Sequence, residues 1–314
     1  MANCLKNVSK PARLRSYPRS YWDEQAREWD RIIRVPTNPH RFYYYEADLL
    51  ISNALAGSHR VPELGCGSGG STSVHSKEVG RLIAIDFSGE MVRRARAKLY
   101  GRRRQPRPDF VIADAGHLPF RDSSFDAVVS RGVLLSYVAE PRAVLAEAYR
   151  VLRRDGRIAV DAMNRIERPN PQVSRNLCLV DGTPVYVEFY VRGRLQVRRI
   201  FFLSRVSPYA AISRKGRRLN RRPPGLRKHL VSETRYEARL FRPRELIALV
   251  EAAGFSDVRV TPLGHAAYTR GLGDRRTRLS ASANRKWLSR ILLQLADHLR
   301  PETALHLFVT AARR

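Results

Sequence analysis

Cysteine is scarce in this chain of 314 residues, and the three that occur, Cys4, Cys66 and Cys178, lie far apart. An odd number of widely spaced thiols excludes a disulfide-based scaffold and is typical of a reducing compartment, so we expect a cytoplasmic protein. Long apolar runs are also lacking, because none approaches the roughly 18–20 residues of a membrane-spanning helix. Residues 1–19 are basic and polar, so no secretory signal is expected.

Acidic residues and lysine are few beside arginine. The chain has 58 Lys and Arg against 29 Asp and Glu, a formal net charge of +29, and only 7 of the 58 are lysine. Because guanidinium groups pair with phosphate and stack on bases, clustered arginine is typical of nucleic-acid partners. Arginine spread over a solvated surface indicates a compositional bias instead. Both distributions occur here, so RNA stays open as a partner.

Short apolar runs alternate with helical segments from residue 59 onward, which predicts parallel βαβ units. Strands are expected at 60–64, 81–85, 110–113, 125–130 and 157–162, and helices at 21–30, 41–55, 90–99 and 141–152. Ser88 is expected to cap one of these helices and Gly156 to end another. Pro62 removes a ladder hydrogen bond from the first strand, so we expect that strand to begin late or to contain a bulge.

The alternation breaks at residue 163. Two β-like runs, 184–191 and 195–204, predict a small antiparallel insertion, and 214–228, with eight basic residues and no acidic one, predicts an exposed loop. Core elements resume as a helix at 243–253, a strand at 257–261, a helix at 286–299 and a strand at 304–311. We divide the chain into a basic tail (1–20), a helical cap (21–58), a core (59–162), a basic insertion serving as a substrate lid (163–240) and a C-terminal completion of the core (241–314).

A glycine-rich turn, Glu63-Leu64-Gly65-Cys66-Gly67-Ser68-Gly69, ends the first strand. Its glycines let a ligand approach the backbone, and the helix that follows offers unpaired N–H groups. Asp86 ends the second strand, where a carboxylate can bind both hydroxyls of a ribose, and Asp114 ends the third. Because the carboxyl ends of these strands surround one crevice, Glu63, Asp86 and Asp114 should face one site. Three acidic groups disfavour a pyrophosphate and favour a neutral or cationic ligand.

Together these segments resemble the motifs of class I S-adenosylmethionine-dependent methyltransferases. The similar segments are 61–69, 85–91, 113–120, 124–129 and 147–157, with 244–246 and 253–255 matching more loosely. The resemblance implies an α/β fold: a Rossmann-like, doubly wound, mostly parallel seven-stranded sheet with helices on both faces, plus the inserted antiparallel segment. It implies S-adenosylmethionine as the cofactor. The layout is similar to the ubiquinone and menaquinone methyltransferase superfamily, that of methyltransferase type 11.

The resemblance also implies which residues hold the methionine end of the donor. Gly65, Gly67 and Gly69 would pass beneath the methionine moiety, and Glu63 would lie near its amino group. Arg131, just after the fourth strand, would lie near the methionine carboxylate or the mouth of the acceptor site.

On the adenosine side, the same resemblance implies that Asp86 binds the ribose hydroxyls and Phe87 flanks the adenine. Asp114 would accept a hydrogen bond from the adenine amino group, beside the backbone of Ala115. Met91, in the second motif, is counted with these donor-binding residues.

Other reactive side chains are assigned less specific roles. Cys66 belongs to the glycine motif and is counted with the donor-binding residues. It is expected to fill the loop and not to act as a nucleophile. The eight histidines include no pair at zinc-ligand spacing, so no metal site is expected. Surface or packing roles are expected for His117, His265 and Tyr268 and for Tyr43 to Tyr45, with the acceptor pocket or a lid as the alternative.

Methyl transfer from a sulfonium requires orientation and exclusion of water more than a fixed catalytic group, so none is assigned. The leading hypothesis is a methyltransferase for a small-molecule acceptor. A tRNA or other RNA methyltransferase is the alternative, with 102–107, 214–228 and 270–290 forming a basic groove. A non-catalytic donor-binding scaffold is the third hypothesis. The sequence does not determine the oligomeric state.

Overall fold

The computed structural model describes residues 17–33, 40–101, 107–165, 174–180, 182–192, 194–211, 217–265 and 304–314. The predicted helix at 286–299, Tyr268 and the basic stretches 102–106 and 270–290 lie outside these residues, as do the side chains of residues 42–45 and 265. No helix within the described ranges has the length and apolar character needed to cross a membrane.

The strands form two separate sheets. In chain order they are β1 (Arg60–Leu64), β2 (Arg81–Asp86), β3 (Asp109–Ile112), β4 (Phe125–Ser130), β5 (Leu152–Met163), β6 (Ser174–Val180), β7 (Thr183–Arg192), β8 (Leu195–Leu203), β9 (Arg217–Arg218), β10 (Leu230–Arg239), β11 (Ser256–His265) and β12 (Ala304–Ala312). The helices are α1 (Arg19–Ile33), α2 (His40–Leu55), α3 (Thr72–His75), α4 (Gly89–Tyr100), α5 (Leu134–Tyr137), α6 (Pro141–Val151) and α7 (Pro243–Glu251), with a 3-10 turn at Leu226–His229.

The first sheet has the strand order β11-β12-β5-β4-β1-β2-β3. Strands β1 to β5 pair in parallel, and β12 is antiparallel to both β5 and β11. The chain winds outward from β1 through β2 to β3 and then returns to the other side of β1 at β4, so the topological switch point lies between β1 and β4. This confirms the predicted doubly wound, mostly parallel seven-stranded sheet.

Helices cover both faces of this sheet. On one face, Leu145 of α6 and Leu246 of α7 are buried against strand residues such as Val128 and Val160. On the other face, the apolar side of α2 packs against Val61 and neighbouring strand residues. The two apolar layers leave the carboxyl ends of the strands as the open edge, where loops and helix N-termini meet.

Pro62 does not disturb β1, which corrects one expectation from the sequence. The strand begins at Arg60 and pairs with β2 without a register shift, with Pro62 opposite Ile83. The Arg60 N–H donates to the Asp126 carboxylate of β4 at 2.7 Å. Because alternate N–H groups along a strand point the same way, the N–H that Pro62 lacks would also point to β4. The ladder on that side is sparse, with Glu63 opposite Val129, so the strand accommodates a proline without a bulge.

Gly156 does not end a helix, which is a second correction. Helix α6 stops at Val151 and the chain enters β5 at Leu152, five residues earlier than the expected strand. A Cβ on Gly156 would lie 2.8 Å from the Arg153 carbonyl oxygen and 3.1 Å from that of Asp126. Glycine is therefore required there by the close approach of two backbones at a bulge in β5.

The second sheet is antiparallel, with the order β10-β8-β7-β6-β9. The predicted hairpin is confirmed as β7 and β8, but the flanking strands β6 and β10 were not predicted. In β10 charged residues alternate with residues that become buried only against this sheet, so its sequence lacks a clear apolar stripe.

The basic segment 217–228 is not simply an exposed loop. Leu226 is buried in an apolar cluster on the outer face of the second sheet, and Leu219 packs against the same cluster. Arg222 pairs with the buried Glu188 carboxylate at 2.5 Å. These anchors tie the segment to the sheet, while Arg221 and Arg227 remain exposed.

Candidate functional site

A cavity of about 540 Å³ opens at the carboxyl ends of β1, β2 and β4. That size lies within the range usual for small-molecule and cofactor sites. Its floor is the glycine loop after β1, one side is formed by the ends of β2 and β3, and the opposite side by the loop after β4. Helix α1 and the segment from α5 to α6 close it from outside.

The glycine loop approaches the cavity at Gly65, Cys66 and Gly67. Gly67 has a φ of +53°, in the region that favours glycine, and lines the cavity. Gly69 does not line the cavity, which corrects its assignment to the donor. It has a φ of +84°, and a Cβ there would lie 3.0 Å from the Ala95 Cβ, so Gly69 permits close packing of the loop on α4.

Asp86, at the end of β2, lines the cavity as expected. Its Oδ2 accepts a hydrogen bond from the Gly67 N–H at 2.8 Å, and its Oδ1 accepts one from the Ser88 N–H at 2.9 Å. Burial raises the pKa of this carboxyl to about 6, although both N–H groups act in the opposite direction. Ser88 in turn caps α4 by accepting from the Met91 N–H at 3.1 Å, which confirms the predicted cap.

Asp114 lies on the same side, beyond β3, and its side chain is 54% exposed. Its Oδ1 accepts from the Gly116 N–H at 2.8 Å, which orients the carboxylate at the rim of the cavity. Phe87, Met91 and Ala115 also line the cavity here. The structure thus brings the predicted adenosine-side residues together.

Glu63 faces away from the cavity, which corrects the expectation of three acidic groups around one site. It is fully buried behind the glycine loop and does not line the cavity. Its Oε1 accepts from the Ser71 hydroxyl at 2.5 Å and lies 3.2 Å from Nδ1 of His75. Of the three predicted acidic groups, Asp86 and Asp114 line the cavity.

His75 was not anticipated from the sequence, because nothing in its local pattern marks it. It is fully buried on α3, with Nε2 3.7 Å from the Asp48 Oδ1 of α2. Burial opposes its charged form, but the carboxylates of Glu63 and Asp48 outweigh burial and raise the pKa of His75 to about 9. Burial likewise opposes ionisation of Glu63, and His75 overrides it and lowers the Glu63 pKa. The pair is therefore a buried ion pair at neutral pH.

Arg131 lies where the sequence placed it, directly after β4, and lines the cavity. Its Nε is 2.7 Å from the Asp48 Oδ1, and its side chain is 9% exposed. The guanidinium is therefore fixed by a residue of α2.

Cys66 is buried, and its Sγ lies 3.6 Å from the Gly67 carbonyl oxygen. Burial, followed by the nearby Asp86 carboxylate, raises the pKa of this thiol well above its ordinary value. A thiol held protonated in this way fills space and is a poor nucleophile.

Helix α1 is fastened over the cavity at both ends. Asp23 accepts from the Ser88 hydroxyl at 2.6 Å and from the Glu90 N–H at 3.0 Å. Asp30 accepts from the Ser68 hydroxyl and from Lys98, both at 2.5 Å. The helix thereby joins the glycine loop to the start and body of α4.

Four aromatic rings form a wall of the cavity: Tyr17, Trp22, Trp29 and Tyr137. The rings of Trp22, Trp29 and Tyr137 meet at centroid distances of 5.7–6.1 Å and at steep angles of 76–82°. Such edge-to-face contacts are favourable between aromatic rings. The sequence placed the two tryptophans on one helical face, but it did not indicate Tyr137.

The wall is backed by the second sheet. Trp22, Trp29 and Tyr137 pack on an apolar cluster that includes Val185, Ile200 and Phe202. Gln25 of α1 also accepts from the Thr234 hydroxyl of β10 at 2.9 Å. The insertion therefore supports the cavity wall through α1.

Within the described residues, no group of three or more histidine, cysteine and acidic side chains is arranged to hold a metal ion.

Several known methyltransferases are similar to this chain. Residues 62–160 match the family model described as a methyltransferase domain. A demethylmenaquinone methyltransferase of Clavibacter sepedonicus is 41% identical over 108 residues, which is 34% of this chain and 42% of that protein. A phosphatidylethanolamine N-methyltransferase of Cereibacter sphaeroides is 37% identical over 132 residues, 42% of this chain and 63% of that protein. The matched region thus spans less than two thirds of these curated relatives.

Among solved structures, the CcbJ methyltransferase of Streptomyces caelestis is similar with a TM-score of 0.61 at 18% identity, covering 95% of this chain and 100% of that one. At this identity the likeness shows the fold. Residues 62–160 match a methyltransferase domain, and the chain has the fold of a solved methyltransferase. S-adenosylmethionine is the cofactor that the sequence resemblance implies. The chemistry of the cavity fits that cofactor: a close-approach glycine loop lies beside a carboxylate that can accept from hydroxyl groups.

Proposed function

We propose that this protein transfers a methyl group from S-adenosylmethionine to a small-molecule acceptor. One observation carries the proposal: a single cavity is lined both by the glycine loop and Asp86 and by the aromatic wall of Tyr17, Trp22, Trp29 and Tyr137. Donor and acceptor can therefore meet in one cavity.

When bound, S-adenosylmethionine supplies a methyl group already activated by its sulfonium. The residues of this chain need to orient the acceptor and keep water away from the reaction. Asp86 would accept from the ribose hydroxyls, and the backbone at Gly65 and Gly67 would support the methionine moiety. Burial raises the pKa of the Tyr137 phenol, so this group stays protonated and donates hydrogen bonds instead of acting as a base.

The aromatic wall favours an acceptor with a flat, largely apolar part. The rings of Trp22, Trp29 and Tyr137 meet edge to face and together present an apolar surface to the cavity. Two relatives are named for the acceptors demethylmenaquinone and phosphatidylethanolamine, neither of which is a polymer, which supports a non-polymeric acceptor class.

The position of the basic segment argues against the RNA alternative. Segment 217–228 packs with Leu177, Tyr186 and Phe201, whereas the aromatic wall packs with Val185 and Phe202. Residues 185 and 186, like 201 and 202, alternate along their strands and so point to opposite faces. The described basic residues of this segment thus lie behind the second sheet from the cavity and do not lead into it.

Radiolabelled methyl donor tests the proposal directly. Purified protein is incubated with the labelled donor and either a low-molecular-weight cell extract or total tRNA. We expect label in the low-molecular-weight fraction, and less of it by about tenfold or more with Asp86→Asn at a subsaturating donor concentration. Asp109→Asn is the matched control, because Asp109 pairs with Arg81 at the opposite ends of β3 and β2. Label entering tRNA, or no transfer to either fraction, would contradict the small-molecule assignment.

A further inference from the structure

Four charged side chains form a row from the interior to the cavity wall. Glu63 Oε1 lies 3.2 Å from His75 Nδ1, His75 Nε2 lies 3.7 Å from Asp48 Oδ1, and Asp48 Oδ1 lies 2.7 Å from Arg131 Nε. Glu63 and His75 are fully buried. The charges alternate in sign along the row, so each buried charge has an opposite neighbour, as burial of ions requires.

The row is built from elements that are distant in sequence. Glu63 is on β1, His75 on α3, Arg131 follows β4, and Asp48 is on α2, outside the residues that match the methyltransferase family model. His75 and Arg131 approach the same oxygen of Asp48. Removing Asp48 or His75 would therefore change what holds the Arg131 guanidinium.

Sheet order places Arg131 at the methionine end of the donor site. β4 lies on one side of β1, and β2 and β3 lie on the other. Asp86 and Asp114 belong to the β2 and β3 side, so the ribose and adenine belong there too. A donor that crosses the glycine loop would then extend its amino-acid end toward β4. The segment after β4 lies directly against the glycine loop, since a Cβ on Gly65 would lie 3.2 Å from the Leu134 side chain.

Arg131 offers the chemistry that an anionic group requires. Among the described residues that line the cavity, the basic side chains are Arg131 and His117, and His117 lies on the adenosine side. A guanidinium is a rigid planar fork, so its ion pair with Asp48 restricts where its remaining donors can lie. An arginine held in this way is suited to a carboxylate, which accepts two parallel hydrogen bonds.

We propose that Asp48 and His75 are positioning residues that hold Arg131 for the carboxylate of the donor's methionine moiety. The inference rests on the proposed function, because it concerns the same donor site. Asp48 sets the guanidinium directly. His75 acts through Asp48, because it lies between the carboxylates of Asp48 and Glu63 and pairs with both. Neither Asp48 nor His75 would touch the donor.

Two donors that differ only in this carboxylate test the proposal: S-adenosylmethionine and its decarboxylated form. Calorimetry gives the Kd of each for the wild type and for Arg131→Met, Asp48→Asn and His75→Gln. We expect the wild type to prefer the carboxylate-bearing donor by about tenfold or more, the range of a charge-assisted hydrogen bond. The preference should fall to near unity in Arg131→Met and by several-fold in the other two variants, with affinity for the decarboxylated donor unchanged.

Unchanged binding of the decarboxylated donor shows that each variant is folded, and Asp109→Asn should keep the full preference. Asp48→Asn tests the inference without changing a fully buried residue, because the Asp48 side chain is 20% exposed. Equal weakening of both donors in Asp48→Asn would show a purely structural role and overturn the inference. A wild type that binds both donors equally well would do the same while leaving the proposed function intact. A wild type that binds neither donor would overturn the proposed function itself.

Discussion

The Asp86 carboxylate accepts a hydrogen bond from the Gly67 N–H at 2.8 Å and so joins the end of β2 to the glycine loop after β1. The other oxygen accepts from the Ser88 N–H at the start of α4. One side chain therefore holds three parts of the donor site in place before any ligand arrives. Such preorganisation lowers the free energy needed to order the site on binding.

Replacing this carboxylate should weaken donor binding strongly. Asp86→Asn loses the charge-assisted hydrogen bonds to the ribose hydroxyls, and we expect an increase in the Kd of S-adenosylhomocysteine of about tenfold to a hundredfold. Isothermal titration calorimetry measures it, with Asp109→Asn as the control on the distant edge of the sheet. A Kd within threefold of the wild type would remove the ribose assignment.

Donor affinity should also depend on pH through the same group. The pKa of Asp86 is raised to about 6 by burial, and only the ionised form accepts from both hydroxyls. The affinity for S-adenosylhomocysteine should therefore be constant from pH 8 to about 7 and decrease as the pH falls through 6. The Asp86→Asn variant should show no such decrease. If the variant and the wild type have parallel pH profiles, another group is responsible.

His75 should make stability depend on pH in the alkaline range. Its pKa is raised from 6.5 to about 9 in the folded chain, so the folded state binds the proton more tightly than the unfolded state. The resulting stabilisation is full below pH 6.5 and is lost as the pH rises through 9. A shift of this size corresponds to about 3 kcal/mol.

Urea unfolding at pH 6, 8 and 10 tests this dependence. The difference in unfolding free energy between the wild type and His75→Gln should shrink as the pH rises. His117→Gln is the control, because its side chain is 85% exposed and its removal should change stability equally at each pH. A difference that stays constant from pH 6 to pH 10 would exclude a charged His75.

Two adjacent glycines should differ sharply in their tolerance of alanine. Gly69 has a φ of +84°, and a new Cβ would lie 3.1 Å from the Ala95 Cα, so Gly69→Ala should destabilise by about 1–3 kcal/mol. Gly70 is exposed and has no atom within 4 Å of such a Cβ, so Gly70→Ala should stay within about 0.5 kcal/mol of the wild type. Chemical denaturation of both variants distinguishes backbone strain from a general intolerance of the loop.

The aromatic wall should affect the acceptor more than the donor. Trp22 contacts Trp29 and Tyr137, whereas Trp29 also lies beside the glycine loop. Trp22→Ala should lower kcat/KM for the acceptor by about tenfold or more, since an aromatic side chain contributes about 1.5–3 kcal/mol of apolar contact. Its Kd for S-adenosylhomocysteine should stay within threefold.

Tyr209→Ala is the matched control for Trp22→Ala, because it removes a ring packed on the outer face of the second sheet. It should leave kcat/KM unchanged. Equal losses in both variants would indicate a general loss of stability and not an acceptor site.

Local sequence predicted the parts of the site that depend on backbone geometry. The glycine turn at Gly65 and Gly67 and the carboxylates at Asp86 and Asp114 follow directly from where strands end and helices begin. Glu63 belongs to the same motif, yet the structure turns it inward to His75. The position of a strand residue in the sequence does not show whether another element will place a buried ionic partner beside its side chain.

By itself the sequence determined the parallel βαβ units of the first sheet and the donor loop, because these follow from apolar periodicity and from residues that tolerate a positive φ. The seven-stranded sheet was implied by the family resemblance. The packing of α1 and α2 decided which side chains complete the site. It brought Asp48 to Arg131 and Trp22 to Tyr137, pairs separated by more than eighty residues. Contacts over such distances arise from how whole elements bury their apolar faces, and no local pattern encodes them.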